Sequence, residues 1–153
     1  PPERPAERQL PQHDESQQEE EALVFAALSA LPGVDAANAL GRMMGRRDLY
    51  VRLARRMAEE RADTALQLHD ALHLGDFDAV MEIIHGAKSL LGALGAVSLQ
   101  QRCIELQQAL RAGRAVPAEV SSLGTAYAEL LGSLRRIFMD TNEAKNTSRA
   151  GVP

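Results

Sequence analysis

The sequence contains little cysteine and no long apolar run. Its single cysteine, Cys103, excludes an intramolecular disulfide. Cys103 lies at helical spacing from Leu99, Leu106 and Leu110, which predicts a small core residue rather than a reactive thiol. The longest apolar run, residues 22–28, is far shorter than the roughly 18 residues that a membrane span requires. We therefore expect a cytoplasmic chain that makes no direct contact with a membrane.

The sequence also lacks a basic excess and has few aromatic side chains. The 17 basic residues are outnumbered by 21 acidic ones, and there are only two tyrosines, three phenylalanines and no tryptophan. Domains that bind nucleic acid usually carry a basic excess and aromatic rings that stack on bases, so we do not expect nucleic acid as a partner. One segment is nevertheless rich in arginine: Arg42, Arg46, Arg47, Arg52, Arg55, Arg56 and Arg61. A solvated helix face is the favoured interpretation of these residues, and a surface that docks an acidic partner is the second.

Proline is scarce after residue 32, where only Pro117 precedes the terminal Pro153. Long helices are therefore allowed, and no segment shows the alternation of a strand. We predict an all-α fold, namely an antiparallel four-helix bundle with one or two short additional N-terminal helices. The predicted helices span residues 19–30, 36–44, 47–74, 77–95, 99–111 and 117 to about 140. The predicted segments are a disordered linker over residues 1–18, the bundle over 19–140 with its core at 31–139, and a disordered tail over 141–153.

Local signals predict where several helices begin and end. Asp35 and Asp76 are suited to be N-caps, because an aspartate side chain can accept a hydrogen bond from a free N–H of the first turn. Ser98, with Gln101 three residues later, predicts a capping box at the start of the next helix. Gly75 is expected to end the long helix before Asp76.

The predicted helix around residues 83–96 has an unusual surface. Its apolar residues recur at alternating spacings of three and four, which predicts one stripe facing a core: Phe77, Val80, Ile84, Ala87, Leu91 and Leu94. His85 lies at the edge of this stripe, Gly86, Ser89 and Gly92 follow on the face of the histidine, and Lys88 stands one turn away. Each glycine inside a helix costs about 1 kcal/mol relative to alanine, so these glycines require a reason. Close packing is one reason, and clearance for a partner backbone at His85 is the favoured one.

Two interpretations of His85 follow from the residues alone. A histidine at the edge of a core is commonly hydrogen-bonded and chemically idle. A histidine on a surface of small residues, with a cation nearby, suits a nucleophile that receives an anionic group. Neutral imidazole can attack a phosphoryl group at physiological pH.

The segment from His85 to Gly95 resembles the histidine-containing phosphotransfer (HPt) domain of bacterial phosphorelays. The resemblance rests on His85-x-x-Lys88, the small residues that follow, and Gly95 ten positions after the histidine. Segments 31–35, 45–50 and 75–77 also resemble the family. Ala87 replaces a common leucine, and Ser89 stands where the family usually has glycine.

The resemblance implies that His85 accepts a phosphoryl group from the phospho-aspartate of a receiver domain and passes it to another receiver. Lys88 would offset the charge of the phosphoryl oxygens, and the Mg²⁺ that transfer needs would belong to the receiver. The chain would be a monomeric phosphocarrier without ATP-binding or kinase motifs, and we expect it to be the C-terminal domain of a hybrid sensor histidine kinase. The alternative is a phosphorylation-independent helical adaptor that binds receiver domains.

A docking patch for the receiver is predicted from the hairpin that turns at Gly75. In an antiparallel hairpin, His85 should face the region near residue 65, because both lie ten residues from the turn. The predicted patch consists of Arg61, Thr64, Ala65, Leu68, Met81, Glu82, Gly86, Ser89 and Gly92. For Ala65 and Leu68 a plain core position is an equal alternative.

The remaining histidines give weaker signals. His69 and His73 have the i, i+4 spacing that can hold a metal ion, but no third ligand stands out, so no metal site is expected. His13 falls in the predicted linker. A histidine kinase proper is disfavoured, because the acidic residue and the proline that typically follow its phosphorylated histidine are absent after His85.

Overall fold

The structure, a computed structural model, describes residues 15–60 and 63–150. These residues form helices and turns with no strand, which confirms the all-α prediction. His13 and Arg61 lie outside the described residues. The helices are α1 (Glu15–Ser29), α2 (Ala36–Arg42), α3 (Arg47–Ala58), α4 (Thr64–His73), α5 (Phe77–Leu94), α6 (Val97–Arg111) and α7 (Pro117–Ala150).

The bundle is four helices in cross-section. α3 and α4 together form one of the four, and α5, α6 and α7 form the others. α5 packs against α3, α4 and α6, and α7 packs against α3, α4 and α6. Among the described residues no Cα of α5 lies within 8 Å of a Cα of α7, so the two helices lie diagonally across the bundle. α1 packs on α3 and α7, while α2 packs on α3 and α5. No helix in the described part of the chain combines the length and apolarity that crossing a membrane requires.

The prediction of a single long helix over residues 47–74 is wrong, because the helix is interrupted between α3 and α4. The side chain of Asp63 accepts a hydrogen bond from a first-turn N–H at 3.1 Å and so begins α4. At the other side of the break, Arg135 of α7 donates to the carbonyl oxygens of Ala58 at 3.0 Å and Glu60 at 3.1 Å. These bonds satisfy carbonyl groups that the end of α3 leaves without helical partners, so the break is held by α7.

Three predicted boundaries also differ from the structure. α6 begins at Val97 without a side-chain cap, so the capping box at Ser98 is wrong. α7 continues to Ala150 instead of ending near residue 140, and Lys145 pairs there with Glu20 of α1 at 3.3 Å. α1 begins at Glu15, so the last residues of the predicted linker are helical.

The predicted N-caps of α2 and α5 are confirmed. The Asp35 side chain accepts from the N–H of Asn38, and the Asp76 side chain accepts from the N–H of Ala79, each at 3.1 Å. α5 ends at Gly95, whose φ of 95° is in the left-handed region that favours glycine. A side chain at this position would also collide with the backbone oxygen of Asp35.

The C-terminal end of α5 is closed by groups from the preceding part of the chain. The last carbonyls of a helix have no partner within the helix, and buried ones must find donors elsewhere. Three donors from the α2–α3 region meet them: Arg42 Nη2 donates to Gly92 O at 2.7 Å, the Tyr50 hydroxyl to Leu94 O at 2.6 Å, and the Asp35 N–H to Gly95 O at 2.9 Å.

α1 is tied to the bundle by polar and aromatic contacts. Glu20 pairs with Arg55 of α3 at 3.3 Å, and the Arg55 guanidinium lies 4.9 Å from the ring centre of Phe138 on α7. The Phe25 ring meets the edge of buried Tyr50, with ring centres 5.9 Å apart. The helix that precedes the predicted core of residues 31–139 is therefore packed as part of the bundle.

Alkaline pH should unfold the protein through its two tyrosines. Burial, with a smaller contribution from the charge of Asp35, raises the pKa of Tyr50 to about 12. Burial, with the charge of Glu60, also raises the pKa of Tyr127. Because both groups titrate near 10 when unfolded, stability is retained below pH 10 and is lost as the pH rises from 10 towards 12.

The chain has no tryptophan, so the ultraviolet absorbance of tyrosinate reports on Tyr50 and Tyr127 alone. We expect this absorbance to rise together with the loss of helical circular dichroism. Tyrosinate formation near pH 10 with intact helicity would contradict the burial of both hydroxyl groups.

Candidate functional site

The candidate site lies on α5, on the side that faces away from the core. The predicted stripe is buried at Val80, Ile84, Ala87, Leu91 and Leu94. Phe77 is the exception, because at the first turn of α5 its side chain is 51% exposed. The opposite side of the helix is left to polar and small residues.

His85 is exposed on this outer side of α5. Its imidazole has no hydrogen-bond partner among the described residues, so the structure does not show the idle, hydrogen-bonded histidine of the first interpretation. Ser89, one turn further on, donates its hydroxyl to the backbone oxygen of His85 at 3.3 Å and therefore points at the helix rather than at the ring. Neither ring nitrogen forms a hydrogen bond with a described residue, and the residue is exposed.

The small residues beside His85 do not share one role. Gly86 is exposed, and a Cβ built on it would meet no atom within 4 Å, which leaves open space next to the histidine. Gly92 is buried instead, and a Cβ there would run into the side-chain amide of Gln100 on α6. The placement of Gly92 in the docking patch is therefore wrong. Its lack of a side chain leaves room for the Gln100 amide of α6 to lie against α5.

Lys88 is held at the seam between α5 and α6. Its ammonium group donates to Oε1 of Gln107 at 3.0 Å, and the Lys88 side chain is half-buried. Gln107 is only 3% exposed, one of two buried polar residues in the described part of the chain. Lys88 therefore stands one helical turn from His85 with its charge directed along the α5–α6 seam.

Gln107 was not identified from the sequence, although a signal for it exists. It lies four residues after Cys103 and three before Leu110, which places an amide within the apolar stripe of α6. A polar side chain at such a position needs a partner, because an unsatisfied buried amide costs about 1–3 kcal/mol. Lys88 is that partner.

Cys103 is a buried core residue, as the sequence indicates. Burial raises the pKa of its thiol to about 11, and the positive charges of Lys88 and Arg102 offset only part of this rise. Since the thiolate is the nucleophilic form, the thiol is unreactive at neutral pH.

The α4 residues of the predicted docking patch face α7 rather than His85. Thr64 and Leu68 are buried. A Cβ built on Gly124 of α7 would lie 3.4 Å from Leu68 Cδ1 and 3.5 Å from Ala65 Cα, which places this side of α4 against α7. Thr64, Ala65 and Leu68 are therefore wrong as docking residues, because this face of α4 packs against α7.

On α5 itself the remaining residues of the patch are accessible to different degrees. Glu82, Gly86 and Ser89 are exposed, and Met81 is half-buried.

His69 and His73 on α4 are exposed with nearly parallel rings 6.5 Å apart. Within residues 15–60 and 63–150 no group of three or more histidine, cysteine or acidic residues could hold a metal ion.

Comparison with known proteins gives one match. The family model of the Hpt domain matches residues 52–137, which include α4, α5, α6 and most of α3. This segment covers more than half of the chain and contains His85, Lys88 and Gln107. No curated protein and no solved structure matches the chain.

The two glycines beside His85 should respond in opposite ways to substitution. Gly86→Ala should raise the free energy of unfolding by up to about 1 kcal/mol, because alanine is the better helix former and the site is open. Gly92→Leu should lower it by about 1–3 kcal/mol through overpacking against Gln100.

Urea unfolding of both variants measures these changes. Gly132→Ala on α7 is the matched control, since it lies within a helix and a Cβ there also meets no atom within 4 Å. A free energy of unfolding for Gly92→Leu no lower than that of the unmodified chain would show that the α5–α6 seam does not depend on Gly92.

Proposed function

Since the chain belongs to the Hpt domain family, we propose that it is a phosphorelay intermediate whose phosphoryl group is held by His85. One observation supports this assignment more than any other. The His85 imidazole is exposed and unpartnered among the described residues, beside the open position of Gly86 and one turn from the Lys88 ammonium group. Of the three histidines in the described residues, it is the one with these surroundings.

The proposed transfer is a direct exchange between two side chains. An unprotonated ring nitrogen of His85 attacks the phosphorus of a phospho-aspartate on a receiver domain. The N–P bond forms as the P–O bond to the aspartate breaks, and the aspartate leaves as a carboxylate. The aspartate of a second receiver then attacks the same phosphorus, and the imidazole is the leaving group. We expect Mg²⁺ to be bound by the receiver, whose carboxylates would supply its oxygen ligands.

Lys88 has the charge that this exchange requires. Phosphohistidine carries negative oxygens at the end of a long side chain, and an ammonium group within reach stabilises them. Lys88 is bound to the neutral amide oxygen of Gln107 and not to a carboxylate. Its positive charge is therefore not cancelled by a counterion, and it can act on the phosphoryl group.

The test of the acceptor is incubation of the chain with phosphorylated receiver domains and Mg²⁺, followed by mapping of acid-labile label. We expect label on His85 and on no other residue. His85→Gln should abolish labelling and leave the melting temperature nearly unchanged, because the exposed ring contributes little to stability.

His69→Gln with His73→Gln is the matched control, since these two residues are also exposed histidines on a helix of the bundle. This double variant should label like the unmodified chain. Label on His69 or His73 in the unmodified chain would refute the assignment. Receiver binding without any transferred label would support the helical adaptor instead.

Lys88 and Gln107 should act as one unit in the lifetime of the phosphorylated form. Lys88→Ala should slow transfer, or speed hydrolysis of phosphohistidine, by about tenfold, the effect of one charge-assisted contact. Gln107→Leu keeps the seam filled but removes the acceptor that places Lys88, so it should show part of the same loss.

A double-mutant cycle with transfer and hydrolysis rates separates coupling from two independent effects. If Gln107 acts through Lys88, the double variant is no slower than Lys88→Ala alone. Losses that simply add would contradict this coupling, and unchanged rates in Lys88→Ala would make Lys88 a surface lysine without a role in transfer.

A further inference from the structure

The outer face of α5 carries one anion as well as one cation next to His85. Lys88 follows the histidine by three residues, and Glu82 precedes it by three. Because each residue of an α-helix turns by about 100°, the two lie about 60° to either side of His85 around the helix. The imidazole therefore stands between opposite charges, and the proposed transfer uses only the positive one.

Glu82 has no partner within the part of the chain that the structure describes. Its side chain is exposed, and it forms no ion pair or hydrogen bond with another described residue. Lys88 differs, because its ammonium group is bound to the Gln107 amide at the α5–α6 seam. The carboxylate of Glu82 is therefore a negative charge that no described side chain neutralises by contact.

Helix geometry brings the imidazole close to this carboxylate. The Cα–Cβ bonds of an α-helix tilt toward its N-terminus, so a long side chain lies over the preceding turn. For His85 that turn contains Met81 and Glu82. Cβ atoms of residues three apart on a helix are about 5–6 Å from each other. A phosphoryl group on a ring nitrogen would therefore lie within the range of the Glu82 charge.

The two neighbours of His85 would act on a phosphoryl group in opposite directions. A phosphoryl group carries nearly two negative charges at neutral pH, so it attracts the Lys88 ammonium group and repels the Glu82 carboxylate. Like charges one helical turn apart destabilise by about as much as opposite charges stabilise. The balance between Glu82 and Lys88 therefore affects the free energy of phospho-His85.

We propose that Glu82 limits how strongly His85 holds its phosphoryl group, by repelling the phosphoryl oxygens. This inference rests on the proposed function, because it concerns the stability of phospho-His85. Repulsion raises the free energy of phosphohistidine relative to phospho-aspartate on the receiver, which favours onward transfer. His85 then passes phosphoryl groups on instead of storing them, and Glu82 needs no contact with the receiver to have this effect.

The equilibrium constant of transfer tests this role of Glu82. The probe is the purified receiver domain that labels the unmodified chain, and the constant compares phospho-His85 with phospho-aspartate on the separated proteins. Glu82→Gln should raise the constant in favour of phospho-His85 by about two- to fivefold, because it removes the charge and keeps the size of the side chain. Glu82→Asp retains the charge, so its constant should change by less than about twofold.

An equilibrium constant also separates repulsion from docking. Contacts between Glu82 and a docked receiver change the Kd and the transfer rates, but they do not change an equilibrium between the separated proteins. Altered transfer rates in Glu82→Gln with an unchanged equilibrium constant would make Glu82 a docking residue and overturn the proposal. The rise in Glu82→Gln should shrink at high salt, because screening weakens the repulsion between exposed charges. A rise that salt leaves unchanged would also overturn it.

Glu129→Gln is the matched control. It makes the same change of charge at an exposed position of α7, a helix with no Cα within 8 Å of a Cα of α5. Its equilibrium constant should stay close to that of the unmodified chain, since only a distant charge is altered. An equal rise in Glu129→Gln and Glu82→Gln would assign the effect to net charge and overturn the proposal.

Two phosphodonors separate failure of this inference from failure of the proposed function. Phosphoramidate is a small donor that needs no docking surface, whereas the receiver must dock. Receiver label on His85 of the unmodified chain, with the same equilibrium constant in Glu82→Gln, would refute the role of Glu82 and leave the proposed function intact. An unmodified chain that phosphoramidate labels but no phosphorylated receiver labels would refute the proposed function, and this inference with it.

Discussion

The closing of the C-terminal end of α5 is the constraint on which the rest of the structure depends. The carbonyl groups of Leu94 and Gly95 would each cost about 1–3 kcal/mol if they were buried without donors, and the Gly92 carbonyl, which already accepts from the Gly95 N–H, gains a second donor. A guanidinium group, a phenol and a backbone N–H supply those donors from different elements. Meeting all three at once fixes α2 and α3 against α5. That arrangement also fixes the direction in which the His85 side chain projects from the bundle.

The seam between α5 and α6 contains both a residue that affects packing, Gly92, and the lysine that the proposed function uses, Lys88. At Gly92 the Gln100 amide of α6 fills the space that the missing side chain leaves. Two turns away along the same seam, Gln107 holds Lys88. A carboxylate at position 107 would bind the ammonium group more strongly, but it would compete with any anion on His85. On the proposed function, a neutral amide places the cation and leaves most of its attraction for a phosphoryl group on His85.

The sequence predicted the features that depend on local pattern. The stripe of α5 and the N-caps at Asp35 and Asp76 need only helical spacing and short-range hydrogen bonds, and both are present. The break before α4 was missed because α7 stabilises it through Arg135, a contact across 75 residues or more. The roles of Gly92 and Gln107 depend on which helix lies opposite. A one-dimensional pattern does not contain that information, and the misplacement of Thr64, Ala65 and Leu68 has the same origin.

The family match begins at residue 52, whereas the donors that close α5 come from residues 35, 42 and 50. The segment matched by the family model and the set of residues that complete α5 therefore have different limits. A fragment cut at the recognised limit would keep the histidine and lose the groups that complete its helix. The region ahead of the match has to supply a hydrogen-bond donor to each of these three carbonyls, whichever residue type carries it. Its restraint on evolution is then one of hydrogen-bonding capacity at fixed points in space, which residue identity alone does not reveal.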